Sequence, residues 1–357
     1  MQYIIEFIIF LLIFALLVIF HEGGHFLIAK ANGIRVHEFT VGMGPVLFKK
    51  KKGDTTYSVR LLPFGGACVF EGMDGGEIVR DENDEHSFRN AGVWKRIATV
   101  LAGPVANFIL GYLLAVIVTS LAVWTMPVVK GFSLEDSPAR EAGIMEGDLI
   151  TSVNGRAVHQ AAEVTMNLYL TDGEPVEVSY IRDGQEHTVT VTPSYYEDEE
   201  MGRGRYVIGI YIGEPGKIKG ISTLKYAWYD FAFQTSSTWR ALGLLVSGRT
   251  DKAELSGPVG MAQMVDESYT SAMDAGGVPD VILTMLNLAM FLSVNLGIMN
   301  LLPIPALDGG RFLFLLLELV RGKPIPEEKE GVVTMIGAVI LILIMAAVMF
   351  KDIMKFF

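Results

Sequence analysis

The chain has 357 residues, of which 51% are hydrophobic and 19% charged, and its formal net charge is −11. So large an apolar fraction, with a positive mean hydropathy, argues against a soluble globular domain and for a polytopic membrane protein. The acidity is concentrated between residues 130 and 215, with 16 Asp and Glu against 6 Lys and Arg, which argues against nucleic-acid binding.

Four stretches reach the roughly 20 apolar residues that a helix needs to cross a hydrocarbon core of about 30 Å. They are Tyr3–Ala29, Ile97–Met126, Val281–Leu302 and Val332–Phe350. The first has no basic residue before its apolar run and no small-residue cleavage site after it, so it is expected to be a retained span and not a signal peptide. Lys30, Arg35, Lys49, Lys50, Lys51, Lys52 and Arg60 follow the first span, and Arg311, Arg321, Lys323 and Lys329 lie between the third and the fourth. The positive-inside rule then places both connections in the cytoplasm, with both chain ends and the segment 127–279 outside. Cys68, the one cysteine, falls on the cytoplasmic side and cannot form an intrachain disulfide.

Residues 34–70 alternate apolar and polar around a Lys-Lys-Gly-Asp turn at 51–54, the period of a hairpin. Gly42, Gly44, Pro45, Pro63, Gly65 and Gly66 predict short, interrupted strands. An edge strand carrying Tyr57, Val59 and Leu61 is expected to receive an unfolded substrate by strand addition. Residues 71–92, with Asp74, Glu77, Asp81, Glu82, Asp84, Glu85 and His86, lack any apolar period and read as a solvated cytoplasmic loop.

The outer segment contains Leu-Glu-Asp-Ser-Pro-Ala-Arg-Glu-Ala-Gly at 134–143, Gly147-Asp148-Leu149-Ile150 and Val153-Asn154-Gly155, then a helix-like stretch at 160–170. Strands are expected at 175–181 and 186–192, joined by the Asp183-Gly184 turn, and again at 206–210. This run resembles PDZ domains. Residues 216–247 combine Trp228, Phe231, Phe233, Trp239, Leu242 and Leu245 with Lys225, Asp230 and Arg240, a pattern suited to an amphipathic helix that either lies at the outer membrane surface or packs against the PDZ domain. The expected parts are a membrane core at 1–127 that includes the hairpin region 34–72, a PDZ domain at 128–215, a linker region at 216–279 and the rest of the membrane core at 280–357.

The chemistry is concentrated at two span ends. The first span closes on His21-Glu22-Gly23-Gly24-His25, which puts two imidazoles on one helical face where both can bind one Zn²⁺. At a rise of about 1.5 Å per residue, His21 lies roughly 27 Å from Tyr3, near the cytoplasmic side of the bilayer. A catalytic zinc takes three protein ligands and leaves one position open. The third span ends in Asn295-Leu-Gly-Ile-Met-Asn300-Leu-Leu-Pro303-Ile-Pro305-Ala-Leu-Asp308-Gly-Gly, where the prolines must break the helix and let Asp308 turn inward. The basic residues place Asp308 and the histidines at the same membrane face, independently of the motifs.

These two motifs, with Gly103-Pro104-Val-Ala-Asn107 in the second span and one PDZ-like insertion, closely resemble the site-2 protease family of intramembrane metalloproteases. The likeness is to its bacterial branch, related to the regulator-of-sigma-E protease, in the single-PDZ arrangement. The resemblance implies four transmembrane helices, a membrane-associated β-hairpin beginning near Gly42–Pro45, and an inserted extracytoplasmic α+β PDZ domain. It implies that His21, His25 and Asp308 bind Zn²⁺, that Glu22 is the general base, and that Asn300 and Asn295 hold substrate or the developing oxyanion. The implied substrates are single-span membrane proteins of the bacterial plasma membrane, such as anti-sigma factors or remnant signal peptides, with the PDZ domain binding their C-termini or acting as a size filter. A metal transporter and an inactive PDZ adaptor are the other readings, but neither needs Glu22 beside an intact ligand set.

Overall fold

A computed structural model describes residues 2–72, 84–198, 203–216, 218–249 and 257–354. In chain order, α1 (Gln2–Ala31) leads into β1 (Val36–Lys52), β2 (Thr55–Phe70) and α2 (Val93–Leu121). Next come β3 (Trp124–Phe132), α3 (Pro138–Glu141), β4 (Leu149–Val153), β5 (Arg156–Ala157) and α4 (Ala161–Tyr169). They are followed by β6 (Val176–Arg182), β7 (Gln185–Val191), β8 (Ser194–Asp198), β9 (Arg203–Val207) and β10 (Ile210–Gly216). The helices α5 (Ser222–Val246), α6 (Pro258–Gly276), α7 (Val278–Leu301), α8 (Asp308–Arg321) and α9 (Glu327–Met354) complete the order. The chain divides into two compact units, residues 1–118 with 234–357, and residues 119–233.

Among the described residues, α1, α2, α7 and α9 of the first unit are the four helices long and apolar enough to cross a membrane. The second ends at Leu121 and not at Met126, because Trp124–Met126 pair with Glu214–Gly216 as sheet. The separate helix α6 was not legible in the hydropathy. Small residues bring the helices together, as expected where lipid removes any hydrophobic drive between them. A Cβ on Gly24 of α1 would stand 2.3 Å from the Ala102 carbonyl oxygen of α2. Ser293 of α7 donates to the Asn107 carbonyl of α2 at 2.8 Å, and Gly297 lies against Pro104 and Phe108. Arg96 of α2 grips Glu318 of α8 with its two terminal guanidinium nitrogens. By contrast, the apolar window of α9 is only 6% buried. It meets the rest where Gly337 abuts Pro305 and where Asp352 accepts from the amides of Gly257 and Gly260 at 2.9 and 3.0 Å.

β1 and β2 are long strands that bend, and each half finds different partners. Residues 36–41 lie opposite 66–70, residues 46–52 lie opposite 55–60, and Glu38–Val41 also lie opposite Thr56–Val59. The result is four rows in the order 66–70, 36–41, 55–60, 46–52. Tyr57 therefore faces both Phe39 and Lys50, and Val59 faces both Val41 and Phe48. Tyr57 and Val59 thus stand in an internal row and not on the open edge expected from the alternation. The cause is the bend at Gly42 and Gly44, whose φ values of 90° and 86° suit glycine and turn β1 back across β2. Among the described residues the open rows are 46–52 and 66–70.

Of the expected solvated loop, Asp74, Glu77, Asp81 and Glu82 lie outside the described residues. Asp84 is paired with Arg35 and is not simply solvated, while the adjoining Glu71 is buried against Arg35 and His37.

The second unit holds a sheet in the order β10-β3-β4-β6-β7, with β5 beside β4. Its core is aliphatic and close to fully buried: Val129, Ile144, Ile150, Val153, Val164, Val176, Val178 and Ile208. Ser137 caps α3, accepting from the Arg140 amide, and its hydroxyl also reaches the carbonyls of Ile208 and Gly209. Asp148, 1% exposed, is held by Arg182 at 2.7 Å and by the Met145 amide at 2.7 Å. On the same unit Tyr229 of α5 stacks on His159, and Gln160 donates to Asp230.

Candidate metal centre

The last turns of α1 deliver His21 and His25 to one side of the helix, four residues apart, as the period of 3.6 requires. Asp308 arrives by a different route. α7 ends at Leu301, and the segment with Pro303 and Pro305 reverses the chain so that Asp308 opens α8. The reversal is tight: a Cβ on Gly309 would stand 2.2 Å from the Leu302 carbonyl oxygen, and one on Gly310 would stand 2.4 Å from that of Ile304. Ala306 takes a φ of +80°, a cost of about 1 kcal/mol or more for a residue with a side chain. Asp-Gly-Gly is thus a structural requirement of the approach and not an ordinary surface turn.

Three atoms converge. His21 Nε2 and His25 Nε2 are each 3.2 Å from Asp308 Oδ2 and 3.3 Å from one another. A tetrahedral zinc with bonds of about 2.0–2.1 Å has ligand-to-ligand edges of about 3.3 Å, so the spacing fits one such ion. The donor set fits as well. His25 Nδ1 donates to the Thr99 carbonyl at 2.8 Å, which commits its proton there and leaves Nε2 as a lone pair. His21 Nδ1 lies 3.2 Å from the side-chain amide of Asn107, and one buried Asn107 amide atom, Oδ1, has no hydrogen-bond partner. Turning that amide end for end lets Oδ1 accept from His21 Nδ1–H and satisfies both groups. Two lone pairs and a carboxylate oxygen then face each other, an arrangement that a divalent cation stabilises. Zn²⁺ is accordingly the group these residues fit.

Glu22 follows His21 and is not among the three converging atoms. It lies against the open row of the hairpin sheet, where a Cβ on Gly66 would stand 2.7 Å from Glu22 Cγ. Asn300 donates from Nδ2 to the Leu296 carbonyl at 3.1 Å, and Asn295 accepts from the Thr238 hydroxyl at 2.6 Å. Tyr57 packs against Phe26 and Phe39.

The motif reading missed Thr99, Gly103 and Asn107 as parts of the centre. Thr99 and Asn107 are fully buried, and an asparagine inside an apolar span was the available signal. Thr99 acts through its carbonyl, which no side-chain pattern reveals. An Asn107→Leu variant is expected to lose about 10–100-fold in zinc affinity by removing the acceptor for His21. Asn107→Asp, which still accepts, is expected to retain most of it. Competition with a zinc chelator on the purified chain measures both, and equal affinities would remove Asn107 from the centre.

The model of Peptidase family M50 matches residues 9–344 of the chain. A relative from Clostridium acetobutylicum is 35% identical over 349 residues, covering 97% of this chain and 96% of that one. The zinc metalloprotease RasP of Bacillus licheniformis is 32% identical and covers 98% and 99%, and the regulator of sigma-W protease RasP of Bacillus subtilis is 31% identical and covers 98% of each. A PDZ domain of an SdrC-like protein from Listeria monocytogenes matches 26% of this chain and 87% of that one at 22% identity, with a TM-score of 0.20, too low to define the segment. The chain belongs to Peptidase family M50, the site-2 proteases. It is a zinc metalloprotease with four helices capable of crossing a membrane.

Proposed function

We propose that the chain hydrolyses peptide bonds within or beside the membrane-spanning segment of single-span proteins, with His21, His25 and Asp308 holding Zn²⁺ and Glu22 as general base. The observation that carries this reading is the convergence of three ligand atoms at 3.2–3.3 Å from two helix ends. When bound, Zn²⁺ acts as a Lewis acid toward the scissile carbonyl and lowers the pKa of water toward about 7. Glu22 takes the proton from the attacking water and returns it to the leaving amine. Thr99 and Asn107 fix the tautomers of the two histidines. Asn300 keeps a second amide N–H beyond its bond to Leu296 and is assigned to the oxyanion. Asn295, bonded to Thr238, is assigned to holding α5 on α7.

A substrate helix must unwind before a carbonyl can react, because its carbonyls are hydrogen-bonded in the helix. The open row Gly66–Phe70, beside Glu22, is the strand that receives the extended segment. Successive N–H groups point to opposite sides of a strand. Of Cys68→Pro and Val69→Pro, therefore, one removes an outward N–H and leaves the pairing with β1 intact. That variant is expected to cleave at least about tenfold more slowly with unchanged zinc content. Full cleavage by both would remove the idea.

Residues 128–215 are assigned to an extracytoplasmic PDZ domain, supported by the Ser-Pro-Ala and Val-Asn-Gly signatures and the sheet that carries them. It either binds substrate C-termini or excludes bulky outer domains. The basic residues after α1 and around α8 support a bacterial plasma-membrane location with the metal centre near the cytoplasmic side. The sigma-W regulator among the relatives supports anti-sigma factors as a substrate class. A reconstituted single-span reporter, incubated with the full chain, tests the activity directly.

A further inference from the structure

The second open row of the hairpin sheet has a composition of its own. Lys49, Lys50, Lys51 and Lys52 occupy its end and lie opposite Ser58, Tyr57, Thr56 and Thr55, all neutral. All four lysines are exposed, and none makes an ion pair among the described residues. Four consecutive like charges repel one another, and the only acidic neighbour along this turn is the exposed Asp54. The Thr55 hydroxyl donates to the Val36 carbonyl at 2.8 Å. That bond ties the basic end to a residue five positions after Ala31, where the membrane-crossing helix α1 stops.

The other half of the same row is apolar and equally open. Val46, Leu47 and Phe48 are 48%, 63% and 59% exposed, and Met43, Leu61 and Leu62 beside them are about as open. Along one strand, then, the surface runs from exposed hydrocarbon to a block of lysines, at the end of a membrane span. That is the order of acyl chains and phosphates in a leaflet. An acidic polypeptide would satisfy the lysines but leave the apolar half uncovered.

We infer that Lys49–Lys52, at the end of a hairpin whose association with the membrane the family resemblance already implies, bind the phosphate groups of anionic phospholipids. Because the opposite open row lies against Glu22, docking on this side fixes the tilt of the whole sheet at the metal centre.

The test uses the full chain in nanodiscs of phosphatidylcholine, with or without phosphatidylglycerol. Each nanodisc carries a trace of lipid spin-labelled at the headgroup. A bimane placed by Asp54→Cys in a Cys68→Ala background reports the distance of the turn from the headgroups. Quenching is expected to be on the order of twofold stronger with phosphatidylglycerol, and the difference is expected to vanish in high salt. It is also expected to vanish when all four lysines are replaced by glutamine, substitutions at exposed positions that leave the fold intact. Equal quenching in both lipids, or a difference that survives in the glutamine variant, overturns the inference. So does lysine-dependent binding of a fluorescent poly-glutamate peptide to phosphatidylcholine nanodiscs without any lipid difference, which would assign the lysines to an acidic polypeptide.

Discussion

Glu22→Gln is expected to reduce cleavage of a reconstituted single-span reporter by about 10²–10⁴-fold, the range of a positioned general base, with zinc content unchanged. The separation of the two readouts follows from the geometry. Glu22 contributes none of the three atoms that converge at 3.2–3.3 Å, so removing its charge leaves the donor set whole. Glutamine keeps its shape, and the contact with Gly66 that holds its Cγ is preserved. What is lost is the ability to accept a proton from water. Metal analysis and reporter cleavage on the same preparation settle the point: equal cleavage by both proteins would remove Glu22 as the base, and loss of zinc would show that it supports the donor set. Asp308→Asn should give the opposite pattern, losing zinc together with cleavage, because it weakens a ligand that both histidines face.

Why the convergence of His21, His25 and Asp308 was legible and its surroundings were not can be traced to particular residues. His21 and His25 share a face by helix periodicity alone, and the prolines at 303 and 305 require a break that frees Asp308; local rules fix both. The order of the hairpin rows is not local. Alternation of apolar and polar residues from Thr56 to Leu62 specifies faces, not neighbours, and the same pattern suits an edge or an internal row. Gly42 and Gly44 predicted interrupted strands, but only the pairing reveals a bend that lays residues 36–41 between 55–60 and 66–70. The end of α2 was misplaced for a related reason. Trp124–Met126 are apolar enough to extend a span, and it is their pairing with Glu214–Gly216, some 90 residues away, that makes them sheet. Thr99 was invisible because its carbonyl, not its side chain, orients His25.

The glycines around the centre allow the sharpest test, because three of them are near the histidines and have different surroundings. A Cβ on Gly103 would stand 2.2 Å from His25 Nε2 and 2.6 Å from its Cε1. No adjustment of a methyl group relieves that approach, so the imidazole must turn, and turning breaks the 2.8 Å bond from Nδ1 to the Thr99 carbonyl. Gly103→Ala is therefore expected to lose zinc affinity by more than the 10–100-fold typical of a lost supporting bond, and cleavage with it. Gly24→Ala meets backbone, with the Ala102 carbonyl oxygen at 2.3 Å. It pushes α1 from α2 and is expected to lower thermal stability as well as activity. Gly23 has nothing within 4 Å of the built Cβ, and Gly23→Ala removes a poor helix former worth about 0.8–1.0 kcal/mol relative to alanine. It is expected to keep zinc and cleavage, at equal or higher stability. Zinc titration and thermal unfolding of the three variants separate these cases. If Gly103→Ala bound zinc as tightly as Gly23→Ala, the position of His25 beside α2, and with it the geometry assigned to the metal centre, would be wrong.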